Sequence, residues 1–142
     1  MNEKKRVLFV CVENSCRSQI AEAFARIHGG ENVEAYSSGS RPSGVVNEKA
    51  IEAMRELGYD LAAHTSKSLD DIPQVRYDLV ATMGCGDECP LISCIRREDW
   101  AIPDPKEMSA EEFRGVRDEI ERRVRMMLTS LTTDHSVAPA QE

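Results

Sequence analysis

The feature that most constrains this chain lies near its start. Four apolar residues, Val7-Leu8-Phe9-Val10, run straight into Cys11-Val12-Glu13-Asn14-Ser15-Cys16-Arg17-Ser18, and an amphipathic pattern follows at once. A short, continuous run rich in β-branched and aromatic residues reads as a strand buried on both faces, as in parallel sheets. Ile20, Phe24 and Ile27, with Ala21 and Ala23 beside them, then give a helical stripe that stops at Gly29-Gly30. Strand, loop and helix in that order place the loop beyond the carboxyl end of the strand and at the start of a helix. The unpaired N–H groups there, aligned with the helix dipole, favour a bound anion.

The residue types inside the loop sharpen that expectation. Cys11 and Arg17 are separated by five residues, enough for the backbone between them to curl into a nest of inward N–H groups. Arg17 then closes the cup with a planar fork suited to two oxygens of a tetrahedral anion. The same positive field favours the thiolate of Cys11, which makes it the candidate nucleophile. A core cysteine ending a strand and a surface arginine are the plainer readings of these two residues, and they leave the spacing unexplained. Asn14 tolerates positive φ and suits a turn inside the loop. Cys16 reads as packing. Ser18 reads equally as a helix cap or as a hydroxyl donor to the thiolate.

The remaining chain alternates in the same way. Val33 to Ser38 is a strand candidate, and Asn47 caps a helix that buries Ala50, Ile51, Met54 and Leu57 and ends at Gly58. Residues 62–75 are mixed and polar, with a short helix or a loop. Tyr77 to Met83 reads as a third strand, and Trp100-Ala101-Ile102 as a short fourth one before the turn Pro103-Asp104-Pro105. Ser109 and Glu112 form a capping box for a last helix whose stripe runs Phe113, Val116, Ile120, Val124, Met127, Leu128, Leu131. Strands alternating with helices imply an α/β domain around a parallel sheet. Residues 1–131 are expected to form this single domain, and the polar residues 132–142 a frayed tail.

Charge and cysteine usage exclude several functions. A net charge of −7 and a pI near 5.1 argue against nucleic acid as the main partner. No apolar run approaches the ~20 residues of a membrane span. The basic Lys4-Lys5-Arg6 and the short run after it fall short of a signal peptide, because Glu13 and Asn14 interrupt it, so a cytoplasmic protein is expected. The five cysteines are odd in number, which argues against a static disulfide framework. Cys85, Cys89 and Cys94 crowd together, which raises redox use or metal binding. Their spacing does not form paired Cys-x2-Cys knuckles, so zinc is the weaker reading.

Cys11 to Ser18, Gln19-Ile20-Ala21-Glu22, Ser37-Ser38-Gly39, His64-Thr65-Ser66, the later cysteines, Trp100 and Asp104-Pro105 occur in this order over roughly residues 6–130. In this the chain resembles arsenate reductases built on the low-molecular-weight protein tyrosine phosphatase fold. The resemblance implies a three-layer sandwich with a four-stranded parallel sheet in flavodoxin-like order. It implies that the Cys11 thiolate attacks arsenic(V), displaces water and forms a thiol–arsenate adduct. Arg17 and the loop residues Val12, Glu13, Asn14, Ser15, Cys16 and Ser18 would hold the oxyanion, and Asp104 would act as general acid. Cys85 would attack the Cys11 sulfur and expel arsenite, and Cys89 would then attack Cys85 and carry the disulfide outward. Thioredoxin is the implied electron donor, with glutaredoxin or mycothiol as alternatives, no tightly bound cofactor and a monomeric enzyme. In some relatives the counterparts of Glu22, Asn14 and a serine after the second strand help to bind potassium. Lys67 stands near where some relatives have an acidic ligand for that ion, and a lysine ammonium could replace the cation, so no metal is expected.

Cys85 and Cys89 lie closer together than in the thioredoxin-coupled pattern, so the order of the relay stays open, and Cys94 or a small thiol could take part. A low-molecular-weight protein tyrosine phosphatase is the alternative. Val12, Glu13 and Lys106 do not supply the aromatic cleft that phosphotyrosine needs. A non-catalytic oxyanion-binding or redox-sensing module is the third reading.

Overall fold

The computed structural model describes residues 4–84 and 92–140; Cys85 and Cys89 lie outside the described residues. The elements in chain order are β1 (Lys5–Cys11), α1 (Arg17–Gly29), β2 (Val33–Gly39), α2 (Glu48–Arg55), β3 (Tyr77–Met83), β4 (Cys94–Trp100) and α3 (Ala110–Ala140). The four strands form one sheet in the order β2-β1-β3-β4. Every pairing is parallel, with Cys11 opposite Gly39, Val10 opposite Thr82 and Tyr77 opposite Cys94. This is the α/β sandwich and flavodoxin-like order expected from the sequence.

The central strands β1 and β3 are apolar on both faces because both faces are covered. On one side Val7, Phe9, Leu79 and Ala81 pack against residues of all three helices, including Ile20, Phe24, Met54, Phe113 and Ile120. Phe9 also meets the Trp100 ring at 5.9 Å between centroids. On the other side Leu8, Val10, Tyr77 and Val80 are covered by Ile72, with Leu69 and Val75 beside it.

The local signals that define the helices are present as bonds. Asn47 Oδ1 accepts the Lys49 N–H at 2.8 Å at the start of α2. Glu112 N–H donates to Ser109 Oγ at 3.2 Å and Ser109 N–H donates to Glu112 Oε1 at 3.1 Å, a reciprocal capping box for α3. Phe113, Val116, Ile120, Val124, Met127 and Leu131 are all buried. Beyond Leu131 the backbone of α3 stays helical to Ala140.

One strand differs from the sequence expectation. The fourth strand is Cys94–Trp100, not Trp100–Ile102. Its middle is Arg96-Arg97-Glu98-Asp99, which hides the strand pattern. Those charges suit its place at the edge of the sheet, where charged side chains discourage pairing with another chain. They pair along the strand, Arg96 with Glu98 at 2.7 Å and Arg97 with Asp99 at 3.8 Å. Trp100 and Ile102 are buried at 4% and 3%, which is why they carried the apolar signal, but Ile102 lies past the strand.

Candidate active site

The loop between β1 and α1 is held open as a cup by bonds from outside it. The Cys11 carbonyl accepts from Ser40 N–H at 3.2 Å, Val12 from Arg41 N–H at 2.8 Å, Glu13 from Ser43 N–H at 3.0 Å and Ser15 from Asn47 N–H at 3.0 Å. The Asn14 carbonyl accepts from Gln19 Nε2 at 3.1 Å, and Glu13 takes a second bond from Ser66 Oγ at 3.0 Å. In a planar trans peptide the carbonyl of one residue and the N–H of the next point in opposite directions. Carbonyls drawn outward at Cys11 through Ser15 therefore turn the N–H groups of Val12 through Cys16 inward. Asn14 makes the required turn at φ 51°. Gly39 lets β2 approach, since a Cβ there would stand 2.5 Å from the Val12 carbonyl oxygen and 2.9 Å from the Asn14 nitrogen.

Donor order under Cys11 follows from one fixed bond. The Lys67 backbone N–H can only donate, and it does so to Asn14 Oδ1 at 2.7 Å. Asn14 Nδ2 therefore donates to Ser18 Oγ at 2.7 Å. The Ser18 hydroxyl, with that lone pair occupied, is free to donate to Cys11 Sγ at 2.9 Å. Ser18 is the second residue of α1, not its cap, and its side chain contacts Cys11.

Arg17 is the first residue of α1 and is buried. Its Nη1 donates to the Ile102 carbonyl at 3.0 Å, and its Nη2 lies 3.9 Å from Asp104 Oδ2. A Cβ on Gly84 would overlap Nη1, so the residue after β3 has to be glycine for the guanidinium to reach this position. Cys11, Glu13, Cys16, Arg17, Gly84 and Asp104 all line a cavity of about 310 Å³. No aromatic side chain lines it among the described residues. Cys16 is buried, and burial pushes its thiol up to about 12, so it stays protonated and packs the wall.

The structure brings Cys11, the loop and Asp104 together, and Gly84, the residue before Cys85, joins them. Cys85 and Cys89 themselves lie outside the described residues. Cys94 is elsewhere. It opens β4 opposite Tyr77, at the far end of the sheet from Cys11. Five strand residues between the levels of Tyr77 and Thr82 correspond to roughly 17 Å.

Residues to which the sequence analysis gave no part in building the cup support it from behind. Gln19 Nε2 also donates to the Thr65 carbonyl at 2.8 Å, and Gln19 Oε1 accepts from His64 Nδ1 at 2.9 Å. His64 Nε2 in turn meets the Tyr59 hydroxyl at 2.7 Å, and burial lowers the imidazole's affinity for a proton. His64 stood in the sequence only as part of His64-Thr65-Ser66, with no role assigned to it. Its value comes from facing Gln19 across the fold. Beside this network the buried Glu22 takes the Ser37 hydroxyl at 2.6 Å and Arg26 Nη2 at 2.6 Å, with Lys67 Nζ at 3.8 Å. Among the described residues no group of three or more His, Cys, Asp or Glu side chains is arranged to hold a metal ion.

The geometry has close relatives. The chain is 42% identical over 127 residues to an arsenate reductase of Staphylococcus saprophyticus, covering 87% of this chain and 95% of that protein. It is 42% identical over 122 residues to an arsenate reductase of Staphylococcus aureus, covering 83% and 92%. A solved arsenate reductase in a phosphate-binding state superposes with a TM-score of 0.81 at 37% identity, over 89% of this chain and 98% of that one. A thioredoxin-dependent arsenate reductase of Corynebacterium glutamicum superposes at 0.77 and 34% identity, over 92% of this chain and 63% of that one. The profile of the low molecular weight phosphotyrosine protein phosphatases matches residues 6–137, from β1 into α3 and across the whole cup. The chain belongs to the low molecular weight phosphotyrosine protein phosphatase family.

Proposed function

We propose that this protein reduces arsenate to arsenite, with Cys11 as nucleophile and a thiol–disulfide relay as the source of electrons. The observation that carries the reading is the Ser18 hydroxyl at 2.9 Å from Cys11 Sγ, at the base of a cup shared with Arg17 and Asp104. The relatives at 42% identity, which are arsenate reductases, support it. The inward N–H groups of Val12 to Cys16 and the Arg17 fork bind the oxyanion. The Cys11 thiolate attacks arsenic, and one arsenate oxygen leaves as water with a proton from Asp104. Cys85 as thiolate then attacks the Cys11 sulfur. The S–S bond forms, the S–As bond breaks, and its electron pair stays on arsenic, which leaves as arsenite. Cys89 attacks Cys85, frees Cys11 and leaves a Cys85–Cys89 disulfide for an external dithiol.

Thioredoxin is the donor we favour, since the Corynebacterium glutamicum relative is thioredoxin-dependent; glutaredoxin or mycothiol is the alternative. Such a relay suits a reducing cytoplasm and a monomer with no tightly bound cofactor. Tyrosine phosphate is the weaker substrate, because the described wall of the cavity carries Glu13, which pairs with Lys106 beside it, and no aromatic ring.

NADPH oxidation with thioredoxin and thioredoxin reductase tests the reading. Arsenate should start oxidation in the native protein and not in Cys11→Ser. Cys89→Ser should complete one turnover and trap a Cys11–Cys85 disulfide in a peptide map. A trapped Cys11–Cys94 bond would sink the relay. Absence of oxidation with all three donors would sink the reductase.

A further inference from the structure

Asp104 is carried by a loop, not by a strand or helix, so something must hold its carboxyl over the cup. The segment from Ala101 to Ser109 links β4 to α3, and Pro103 and Pro105 lack the N–H groups that would bond it internally. Inside it Met108 N–H donates to the Pro105 carbonyl at 3.0 Å, and side chains tie it to the rest of the molecule. Lys49 Nζ donates to the Lys106 carbonyl at 2.8 Å and to the Met108 carbonyl at 2.9 Å. Lys106 N–H donates to Asp104 Oδ1 at 3.1 Å, which leaves Oδ2 as the oxygen facing Arg17. Lys106 Nζ reaches back to Glu13 in the cup, 3.4 Å from Oε2. Lys49 is the second residue of α2, at the end where the helix dipole disfavours a cation. Its ammonium is nonetheless turned onto two carbonyls of this loop.

Resting on the assignment of Asp104 as general acid, we propose that Lys49 is a positioning residue for that acid. It holds Lys106 and Met108 by their carbonyls, Met108 N–H donates to the Pro105 carbonyl at 3.0 Å, and the Pro105–Lys106 peptide so held carries the N–H that orients the Asp104 carboxyl. Lys106 and Glu13 form the second fastening, between the acid loop and the cup. Lys49 is exposed, lies outside the cavity and touches no oxyanion, so its effect is on proton delivery and not on binding.

A double-mutant cycle tests this, run on arsenate and on phenyl phosphate so that the acid is read with either substrate. Lys49→Met should lower kcat about tenfold on the substrate turned over, a fraction of the ~10²–10⁴ that a positioned acid supplies. Protection of Cys11 from alkylation by inorganic phosphate should change less than twofold, and Lys49→Arg should restore the rate. Asp104→Asn should lower kcat further, and Lys49→Met added to it should cost nothing more. A Lys49→Met loss that multiplies fully with that of Asp104→Asn overturns the positioning role, as does a native rate in Lys49→Met. A native rate in Asp104→Asn overturns the acid assignment itself and the proposal with it.

Discussion

Gly39→Ala is the substitution that most directly tests how the cup is built. A Cβ at this position would stand 2.5 Å from the Val12 carbonyl oxygen, 2.9 Å from the Asn14 nitrogen and 3.0 Å from the Glu13 carbonyl carbon. All three are backbone atoms of the cup, so no side chain can swing away. Ordinary contact begins at 3.4 Å, so β2 and the loop must part by roughly 1 Å. The loop is tied to the same stretch of chain by Arg41 N–H on Val12 at 2.8 Å and Ser43 N–H on Glu13 at 3.0 Å, and parting strains both. Overpacking of this kind costs about 1–3 kcal/mol. One lost hydrogen bond adds about 1 kcal/mol. The expected loss is therefore roughly 2–4 kcal/mol of stability by urea unfolding. A displacement near 1 Å at a catalytic loop costs on the order of 10²-fold in rate, and phosphate should no longer protect Cys11 from iodoacetamide. Gly84→Ala is the control. At φ +74° it carries a left-handed penalty of about 1–2 kcal/mol, but its Cβ meets the flexible tip of Arg17. It should lose phosphate protection with the smaller stability cost. A Gly39→Ala protein with native unfolding and native phosphate protection would refute the account of the cup.

Three further outcomes follow from particular contacts. Ser109→Ala removes one half of the capping box on α3 and should lower stability by about 1 kcal/mol in urea unfolding. Burial depresses the His64 pKa below its ordinary 6.5, so its stability contribution is intact above 6.5 and is lost as pH falls through the folded value. The urea midpoint should therefore drop between pH 7 and pH 5, and His64→Gln should flatten that slope; an unchanged slope would count against a neutral, buried imidazole. Cys16, pushed up to about 12 by burial, should stay unmodified when native protein meets iodoacetamide at pH 8. Peptide mapping that finds Cys16 labelled as fast as an unfolded thiol would contradict its place in the wall.

What the sequence made legible is what local pattern controls. β3 is Tyr77–Met83 as read, because a central strand must be apolar on both faces. The face of α3 was legible because its stripe is long and its cap is adjacent in sequence. The cup was legible because Cys11 and Arg17 are separated by a spacing that itself encodes curvature. β4 escaped because an edge strand is selected for charge, which erases the period-2 signal. Gly84 and Lys49 escaped, and Gly39 and His64 stood in motifs with no role assigned, for a different reason: each acts on atoms far along the chain, two of them on plain backbone. Nothing about a lysine in the first turn of a helix announces that its target is a carbonyl 57 residues away.

The same division explains how the cup comes to be rigid. Its own eight residues supply the chemistry, but the carbonyls of Cys11 to Ser15 are drawn outward by groups from residues 40–47, by Gln19 and by Ser66. Each inward N–H is thus oriented by an outward bond from another segment, which the parallel crossovers bring to the carboxyl end of β1. An oxyanion therefore meets donors already aimed, and little reorganisation is left for the moment of attack. Substitutions at those outer donors should weaken anion binding without touching a residue that contacts the anion. Ser66→Ala, which removes one of two bonds to the Glu13 carbonyl, is the mildest of them. It should weaken phosphate protection of Cys11 severalfold with under about 1 kcal/mol of stability lost. If protection were unchanged, the remaining bond from Ser43 would suffice to hold that peptide, and Ser66 would have no part in aiming its N–H.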